Sequence, residues 1–523
     1  MANHSMDCPG QATLIRRLRN ADAYPHRVGA VELIETHISV VLLAGDFAYK
    51  LKRPVNLGFL DFSTLARRQF FCREELRLNR RLAPALYLGV VPITGPVDQP
   101  RIDGDGEVLE YAVKMRRFPQ QALLTNRPPD AAIIDAIVRR IAHFHAGLPP
   151  ASPDTPFGTA EAVVEPMREN FAQVRAGVVD ASVSAALNRY ERWTELWYLR
   201  LRDRLERRRR GGFIRECHGD LHRGNIAVLD GEPMIFDCIE FSPRLRWIDT
   251  MSEVAFFVMD LRGAGESGLA RRALNRYLEL SGDYAGLALL RFYQVYRAMV
   301  RAKVIGIRLA QGQLQRNERA AACMQLRGYL RLCRTIAVRR RPRLIIACGL
   351  SGSGKTWLGN ALREHLPLIH IRSDVERKRL FGLSPDDRTA SAPGAGIYDA
   401  EGGRRTYARL VELARDILGN RYSVLVDATF LRADQRKPFQ HLAAELGCRF
   451  TLLALDAPEA VLRRRVSERL VSATDASEAG LAVLDRQLAT RERLQQNECS
   501  SAIYLNTAEP MRLDALLQAL ACA

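Results

Sequence analysis

The stretch Leu344-Ile-Ile-Ala-Cys-Gly-Leu-Ser-Gly-Ser-Gly-Lys-Thr356 decides the fold of the C-terminal third of the chain. An apolar run leads into the pattern G-x-x-x-x-G-K-[ST] at 349–356, and residues with helical spacing follow. Glycines let backbone N–H groups turn towards phosphate oxygens, and the N-terminus of a helix adds partial positive charge. We therefore predict a strand, a phosphate-binding loop and a helix.

The chemistry of this loop assigns a role to each residue type. Lys355 would neutralise the β- and γ-phosphates of ATP, and the hydroxyl of Thr356 would bind Mg²⁺. The residues predicted to contact ATP are Gly349, Leu350, Ser351, Gly352, Ser353, Gly354, Lys355 and Thr356.

Apolar runs and helical patterns alternate through the rest of this part of the chain. We predict strands at 343–348, 368–372, 422–427, 450–455 and 501–505, and helices at 355–366, 402–418, 433–446 and 458–470. This alternation predicts an α/β domain with a parallel sheet and helices on both faces.

Two of these strands lead into carboxylates, at the sheet edge where ligands bind in such folds. Asp374 follows strand 368–372 and could deprotonate a substrate hydroxyl, and Asp427 ends strand 422–427 and could contact substrate or Mg²⁺-bound water. Arg377, one helical turn beyond Asp374, could hold an anionic substrate. The alternative for Asp374 is a helix N-cap.

Arginines cluster in the helix at 458–470. Arg463, Arg465 and Arg469 precede a polar stretch that runs to Asp475, and we interpret this region as a mobile lid over the phosphates. Arg469 is predicted to stabilise the transition state and Arg465 to bind substrate. The alternative is a solvated helix face.

A second constellation lies in the N-terminal part, at Cys217-His-Gly-Asp-Leu-His-Arg-Gly-Asn225. Its spacing, H-x-D-x-x-x-x-N, is that of a protein-kinase-type catalytic loop. We predict that Asp220 acts as the base for a substrate hydroxyl and that Asn225 is a Mg²⁺ ligand. The alternative is a buried polar turn between two strands.

The residues after this loop predict a β-hairpin. Asp230-Gly231 separates two short apolar runs, a strong signal for a tight turn. Folding the chain there places Asn225 opposite Phe236, beside Asp237. Asn225 and Asp237 can therefore share one Mg²⁺.

Both halves resemble known kinases. The phosphate loop, Ser373-Asp-x-x-Arg377 and Val426-Asp-Ala-Thr429 resemble the small P-loop kinases, a group that includes polynucleotide kinase, zeta-toxin and gluconate-kinase relatives. The catalytic-loop sequence, the hairpin and Phe-Asp237 resemble the aminoglycoside phosphotransferase and choline-kinase superfamily. The whole order resembles a bacterial family of bifunctional aminoglycoside phosphotransferase/ATP-binding proteins.

This resemblance implies an α+β protein-kinase-like two-lobed domain followed by an α/β P-loop NTPase domain. The first domain would span 1–336, with an N-lobe at about 25–115 and a C-lobe at about 116–336. A basic linker at 337–342 would lead to the P-loop kinase domain at 343–523.

The resemblance also implies nucleotide contacts in the N-lobe. Lys50 is predicted to bind the α- and β-phosphates, with Lys52 as the alternative, and its carboxylate partner would be Glu75 or Glu74. Residues 35–39 would form the nucleotide loop, which lacks the glycines that protein kinases have. The strand Tyr111–Met115 would be the hinge that meets adenine.

Composition limits the partners. The chain has 523 residues and a net charge of +18, of which about +15 lies in residues 1–342. This charge disfavours polycationic acceptors such as aminoglycosides and favours anionic or neutral ones. Ten scattered cysteines form no C-x-x-C pair, and the sequence shows neither a secretion signal nor a membrane-spanning run, so we expect a cytoplasmic protein.

We conclude that the chain is an ATP- and Mg²⁺-dependent phosphotransferase with two kinase-type domains that act on hydroxyl-bearing small molecules. One alternative is a nucleic-acid 5′-hydroxyl kinase with a basic tethering N-terminal half, which lacks an aromatic-rich RNA-binding signature. Another is a pseudokinase that regulates the P-loop domain. The sequence does not decide the acceptors, the coupling of the two sites or the oligomeric state.

Overall fold

The computed structural model describes residues 9–36, 38–56, 58, 60–177, 180–311, 314–339, 341–389, 396–472, 477–509 and 511–522. The chain forms two compact units. Met1–Asp260 with Tyr296–Leu326 is called the catalytic-loop unit here, and Leu261–Val295 with Arg327–Ala523 the phosphate-loop unit. The domain limits at 336 and 343 stay predictions, and the compact units group the helical segment 261–295 with the phosphate loop.

The catalytic-loop unit begins with an antiparallel sheet in the order β1-β2-β3-β6-β4-β5. Its elements are α1 (Pro9–Arg17), β1 (Val31–Glu35), β2 (Ser39–Ala44), β3 (Phe47–Lys52), α2 (Leu65–Asn79), β4 (Tyr87–Thr94), β5 (Arg101–Ile102) and β6 (Val108–Arg116). Helix α2 begins at an N-cap, Thr64, whose side chain accepts a hydrogen bond from the Arg67 N–H. It packs on β4 and β6 through buried residues that include Cys72.

A mainly helical region follows. It contains α3 (Ala131–Gly147), α4 (Ala160–Gly177), α5 (Ala181–Arg210), β7 (Ile214–Glu216), β8 (Ile226–Leu229), β9 (Glu232–Ile235), α6 (Pro243–Arg246), β10 (Trp247–Asp249), α7 (Thr250–Gly263), α8 (Ser267–Ser281), α9 (Leu287–Ala310) and α10 (Arg316–Ala337). Asp130 and Asp180 cap α3 and α5. The predicted hairpin is confirmed, because β8 and β9 pair antiparallel around the turn Asp230-Gly231.

The phosphate-loop unit contains a parallel five-stranded sheet in the order β12-β13-β11-β14-β15. Its elements are β11 (Arg343–Cys348), α11 (Lys355–His365), β12 (Leu368–Arg372), α12 (Ser373–Leu380), α13 (Ala400–Gly419), β13 (Ser423–Asp427), α14 (Ala433–Glu445), β14 (Arg449–Asp456), α15 (Glu459–Ser472), α16 (Leu481–Thr490), α17 (Gln496–Cys499), β15 (Ala502–Asn506) and α18 (Leu513–Cys522). The predicted strands and helices lie within two residues of these bounds. The predicted fold class is confirmed.

The strand order explains where the phosphate loop lies. β11 is the central strand, and strands β13 and β14 pair with its two edges. It is apolar because helices cover both of its faces. Its carboxyl end leads into the loop, next to the carboxyl end of β13, with β12 one strand further. Within the described residues, no helix is long and apolar enough to cross a membrane.

Candidate active sites

The catalytic loop of the first unit is held by its own asparagine. The Nδ2 atom of Asn225 donates to the main-chain oxygen of Asp220 at 3.0 Å and to its Oδ2 atom at 3.1 Å. The N–H of Phe236 donates to the main-chain oxygen of Asn225 at 3.0 Å, so these two residues lie opposite each other, as predicted. The hairpin therefore brings Asn225 beside the residue that follows Phe236, which is Asp237.

Asp237 has a constrained backbone and a half-exposed side chain. Its φ of 63° lies in the left-handed region, and its N–H donates to the Tyr87 hydroxyl at 3.2 Å. Its Oδ1 atom lies 2.6 Å from Nζ of Lys50. Together with Asp220 and Asn225, these two residues line one cavity of about 1080 Å³.

A buried chain of charges continues from Lys50. Oε1 of Glu75 lies 2.8 Å from Nζ of Lys50, its Oε2 lies 2.8 Å from Nζ of Lys52, and Lys52 also pairs with Glu240. Burial raises the pKa of Glu75, but the two lysines outweigh it and lower that pKa to about 2. Glu75 is therefore the carboxylate partner of both lysines, whereas Glu74 pairs with an arginine of its own helix.

Strands of the antiparallel sheet border one side of the cavity. Thr36 and Ile38, between β1 and β2, and Ser39, the first residue of β2, line it, and His37 lies outside the described residues. Of the predicted hinge Tyr111–Met115, Met115 lines the cavity, whereas its first four residues are not among the described residues that do. The residues that follow Met115, at the end of β6 and just after it, also line the cavity, up to Phe118.

The electrostatics of the loop keep Asp220 ionised. Burial raises the pKa of Asp220, but the nearby His222, at 3.4 Å from Oδ2, and His218 hold it well below the usual range. Arg297 donates to the main-chain oxygen of Gly219 at 2.9 Å. Arg297 lies 78 residues away along the chain, and no local signal marks it in the sequence.

Among the described residues of this unit, two groups have the chemistry to bind a metal. Asn225 and Asp237 offer amide and carboxylate oxygens to the cavity, which suits Mg²⁺. His145, Cys217 and Glu253 also lie within metal-binding distance of one another. The oxygens of Glu253 already accept the N–H groups of the catalytic loop, so this second group holds the loop in place.

The phosphate loop has the backbone that its glycines predict. Gly352 and Gly354 have φ values of 83° and 84°, which other residues rarely adopt. A side chain on Gly352 would also approach the main chain of Leu462 at 2.9 Å. The Nζ atom of Lys355 donates to the main-chain oxygens of Gly349 and Leu350, each at 2.8 Å, so the ammonium lies inside the loop.

Thr356 and Asp427 form a hydroxyl–carboxylate pair at the end of the central strands. The Thr356 hydroxyl donates to Oδ2 of Asp427 at 2.7 Å, and His370 lies 3.5 Å from the same oxygen. Burial raises the pKa of Asp427, but His370 and Lys355 hold it well below the usual range. Both oxygen donors suit Mg²⁺, and their neighbouring positions follow from the pairing of β13 with β11.

Asp374 lies inside the first turn of α12, which begins at Ser373, so it is not an N-cap. Burial raises the pKa of Tyr398, and the charge of Asp374 raises it further. Burial lowers the pKa of Lys355, and Asp427 and Asp374 oppose this effect. The guanidinium of Arg377 lies 5.1 Å from the ring centre of Tyr398. Tyr398 borders a cavity of about 890 Å³ lined by α13, α14 and α16.

The arginines of α15 separate into two groups. Arg465 donates to the main-chain oxygens of Gly352 and Thr507, at 3.3 and 2.7 Å. Burial lowers the pKa of Lys355, and the positive charge of Arg469 lowers it further. Arg463 instead pairs with acidic residues on an exposed face. The lid stretch at 473–476 lies outside the described residues.

Two residues beside the phosphate loop were not predicted. The Oε1 atom of Gln487 accepts the N–H of Ser351 at 2.8 Å, and the Tyr407 hydroxyl accepts the N–H of Phe430 at 3.0 Å. Both side chains also line the smaller cavity. Their helices carry no motif, so only the packing of α13 and α16 identifies them.

Two family comparisons match these sites. Residues 62–290 match a family described as "Phosphotransferase enzyme family", and residues 344–494 match one described as "AAA domain". An uncharacterized protein of Mycobacterium tuberculosis is 30% identical over 462 residues, which cover 87% of this chain and 90% of the relative. A Mycobacterium bovis protein is similar to the same extent.

Solved structures resemble each half. The amicoumacin kinase hAmiN, in complex with AMP-PNP, Ca²⁺ and Ami, is 12% identical, with a TM-score of 0.40, and the match covers 62% of this chain and 93% of that one. A gluconokinase from Sinorhizobium meliloti is 23% identical, with a TM-score of 0.24, and the match covers 33% and 86%.

Proposed function

Because the chain belongs to the bacterial family in which an aminoglycoside-phosphotransferase-like domain is joined to a P-loop kinase domain, we propose that each domain transfers the γ-phosphoryl group of Mg·ATP to a hydroxyl of a small molecule. Both domains are of kinase type. One observation carries the proposal: Asp220, Asn225, Asp237 and Lys50 line a single cavity large enough for a nucleotide and an acceptor.

In the catalytic-loop unit, Asp220 orients the acceptor hydroxyl and takes its proton as the oxygen attacks the γ-phosphorus. The bond from that phosphorus to the β,γ-bridging oxygen breaks, and ADP leaves. Lys50, held by Glu75, binds phosphate oxygens of the nucleotide. Asp220 is strongly acidic in its pocket, so it works by holding the hydroxyl in line rather than by strong basicity.

In the phosphate-loop unit, the loop N–H groups and Lys355 hold the triphosphate. Arg465 contacts the loop from α15, and Arg469, on the same helix, acts electrostatically on Lys355, so both can balance charge that develops during transfer. Asp374 accepts the proton of the acceptor hydroxyl, and Arg377 binds an anionic group of that acceptor. The role of Asp374 rests on its electrostatic interaction with Lys355, and that of Arg377 on its place one turn further along α12.

Magnesium, when bound, neutralises charge on the phosphates and orients them for in-line transfer. Asn225 and Asp237 would hold it in the first unit, and Thr356 with Asp427 in the second. Since both reactions consume ATP, we place the protein in the cytoplasm. The acceptors are anionic or neutral, because the N-terminal half carries most of the net positive charge.

Two variants test the proposal. ATP turnover is measured across a library of sugars, nucleosides and hydroxy acids for the parent chain, Asp220→Asn and Lys355→Ala. We expect each variant to lose one set of products by a factor of about 10² or more and to keep the other set. Retention of every product by Asp220→Asn would contradict a catalytic first unit.

The same experiment separates the alternatives. A 5′-hydroxyl oligonucleotide kinase would phosphorylate oligonucleotides with Lys355 intact, and its binding would weaken steeply with salt. A pseudokinase would lose no product in Asp220→Asn. Circular dichroism of both variants checks that they remain folded.

A further inference from the structure

One side of the large cavity is built by two helices, α4 and α9. On each helix, the residues that line the cavity recur every three or four positions, so each helix turns one face towards it. The lining residues of these helices are Pro166, Glu169, Gln173, Tyr296, Arg297, Val300, Lys303, Val304 and Ile307. Because Asp220 lines the same cavity, this side is where an acceptor can meet the catalytic loop.

The close approach of the two helices fixes the width of this side. A Cβ added to Gly177 at the end of α4 would overlap the main-chain carbonyl of Gly306 on α9. Only glycine permits that approach. The faces that carry Gln173 and Lys303 are therefore held at a set separation.

Most charged groups on this side are already paired. Arg244, which also lines the cavity, donates to Glu169 at 2.9 Å. Arg297 is engaged with the main-chain oxygen of Gly219 and with the hydroxyl of Ser252. The guanidinium groups of these two arginines therefore already have hydrogen-bond partners within the protein.

Lys303 differs from its neighbours. Within the part of the chain that the structure describes, its ammonium makes no hydrogen bond or ion pair, although its side chain is partly buried. Burial lowers the pKa of Lys303, and the more distant Glu169 and Asp220 act against this. An ammonium in such a place lacks a close counter-charge, and an acidic group on a ligand would supply one.

The surroundings of Lys303 offer further contacts of two kinds. Tyr296 and Gln173 also line the cavity, and neither the Tyr296 hydroxyl nor the Gln173 amide has a hydrogen-bond partner among the described residues. Val300, Val304 and Ile307 form an apolar strip on the same face of α9, and Val304 is 50% exposed. Among the described residues, the subsite thus combines the unpaired ammonium of Lys303 with two polar groups and a hydrocarbon surface.

We propose that the acceptor of the catalytic-loop unit is an anionic alcohol whose acidic group pairs with Lys303 while its hydroxyl faces Asp220. Its hydrocarbon portion packs on the apolar strip of α9, and Tyr296 and Gln173 bind its remaining oxygens. This inference rests on the proposed phosphotransferase function and adds the substrate class. Lys303 is then a determinant of specificity for the acceptor.

The experiment uses the full-length chain and three matched series of probes, from three to eight carbons: ω-hydroxy acids, α,ω-diols and ω-amino alcohols. The Asp220-dependent formation of ADP is measured for each. We expect kcat/KM to be highest for a hydroxy acid, at least tenfold lower for the matched diol, and lowest for the amino alcohol.

Substitution of Lys303 tests the residue itself. Lys303→Met should lower kcat/KM for the hydroxy acid about tenfold, mainly through KM, and leave the value for the diol unchanged. Lys303→Glu should reverse the preference towards the amino alcohol. The matched control is Lys437→Met, since Lys437 is an exposed lysine in the other unit.

Two results would overturn the inference: a preference for amino alcohols in the parent chain, or an unchanged acid-to-diol ratio in Lys303→Met. A rise in KM for ATP alone would instead assign Lys303 to the nucleotide. Calorimetric binding of the acids and diols to Asp220→Asn, with AMP-PNP present, decides the charge preference even where no transfer occurs. Loss of Asp220-dependent transfer for every alcohol would count against the proposed function.

Discussion

Glu253 shows how a single buried carboxylate holds the catalytic loop. Its oxygens accept the N–H groups of His218 at 3.1 Å and Gly219 at 2.7 Å, and Nε2 of His145 lies 3.1 Å away. Burial raises the pKa of Glu253, but His145, His218 and the Gly219 N–H outweigh it and lower it to about 2. The loop that carries Asp220 therefore depends on this carboxylate being ionised.

The sign of this shift predicts an acid-sensitive contribution to stability. Since the folded pKa lies below the ordinary value of 4.5, the contribution is complete above about pH 5 and is lost as the pH falls towards 2. We expect Glu253→Gln to lower the free energy of unfolding by roughly 3 kcal/mol at pH 7, with a smaller difference at pH 3. Denaturant titrations at several pH values measure both.

The control for this prediction is Glu107→Gln, which alters an exposed glutamate of the same unit. It should change stability by less than about 0.5 kcal/mol at every pH. An equal loss at pH 7 and pH 3 in Glu253→Gln would show that ionisation of this group does not stabilise the loop.

At the scale of elements, helix α8 completes the edge of the parallel sheet. β12 is an edge strand, and Asn275 pairs with it as another strand would. The Asn275 Nδ2 atom donates to the Leu368 carbonyl at 3.1 Å, and its Oδ1 atom accepts the His370 N–H at 2.7 Å. The carboxylate of Glu279 adds an ion pair with Arg372 at 3.0 Å.

We predict that Asn275→Leu destabilises the phosphate-loop unit by about 1–3 kcal/mol, because it leaves a buried N–H and a buried carbonyl unpaired. Urea unfolding, followed by a probe in that unit, measures the loss. Asn497→Leu is the matched control, since Asn497 is an exposed asparagine of the same unit. Equal effects of the two substitutions would contradict a role for the strand edge.

At the scale of the whole molecule, helix α8 affects where the chain can be cut to give a stable P-loop fragment. A fragment that starts at the predicted boundary, residues 343–523, lacks α8 and leaves β12 as a bare edge. Uncovered edges reduce stability and promote aggregation. The domain boundary and the compact units therefore give different expectations for this fragment.

We expect the 343–523 fragment to unfold at a lower temperature than the same unit in the full chain. A peptide of residues 265–284, added in excess, should raise the transition temperature of the fragment because it restores the contacts of α8. The same peptide with Asn275→Ala and Glu279→Gln serves as the control. A fragment as stable as the unit in the full chain would support the boundary at 343.

Local sequence determined the elements whose geometry depends on neighbouring residues. The phosphate loop needs glycines at positive φ, and the hairpin after Asn225 needs a tight turn, so both are readable from adjacent positions. The parallel sheet was readable for the same reason, since apolar runs and helical patterns alternate. These features place Asp220, Asn225 and Asp237 without further information.

Tertiary structure alone decided which side chains meet across long separations. The choice of Glu75 over Glu74, the approach of Arg297 to the catalytic loop and the position of Lys303 in the cavity that Asp220 lines depend on how helices pack. A helix pattern gives the face that is buried but not the neighbour it meets. That neighbour is set by the packing of the whole unit, which no local stretch of sequence encodes.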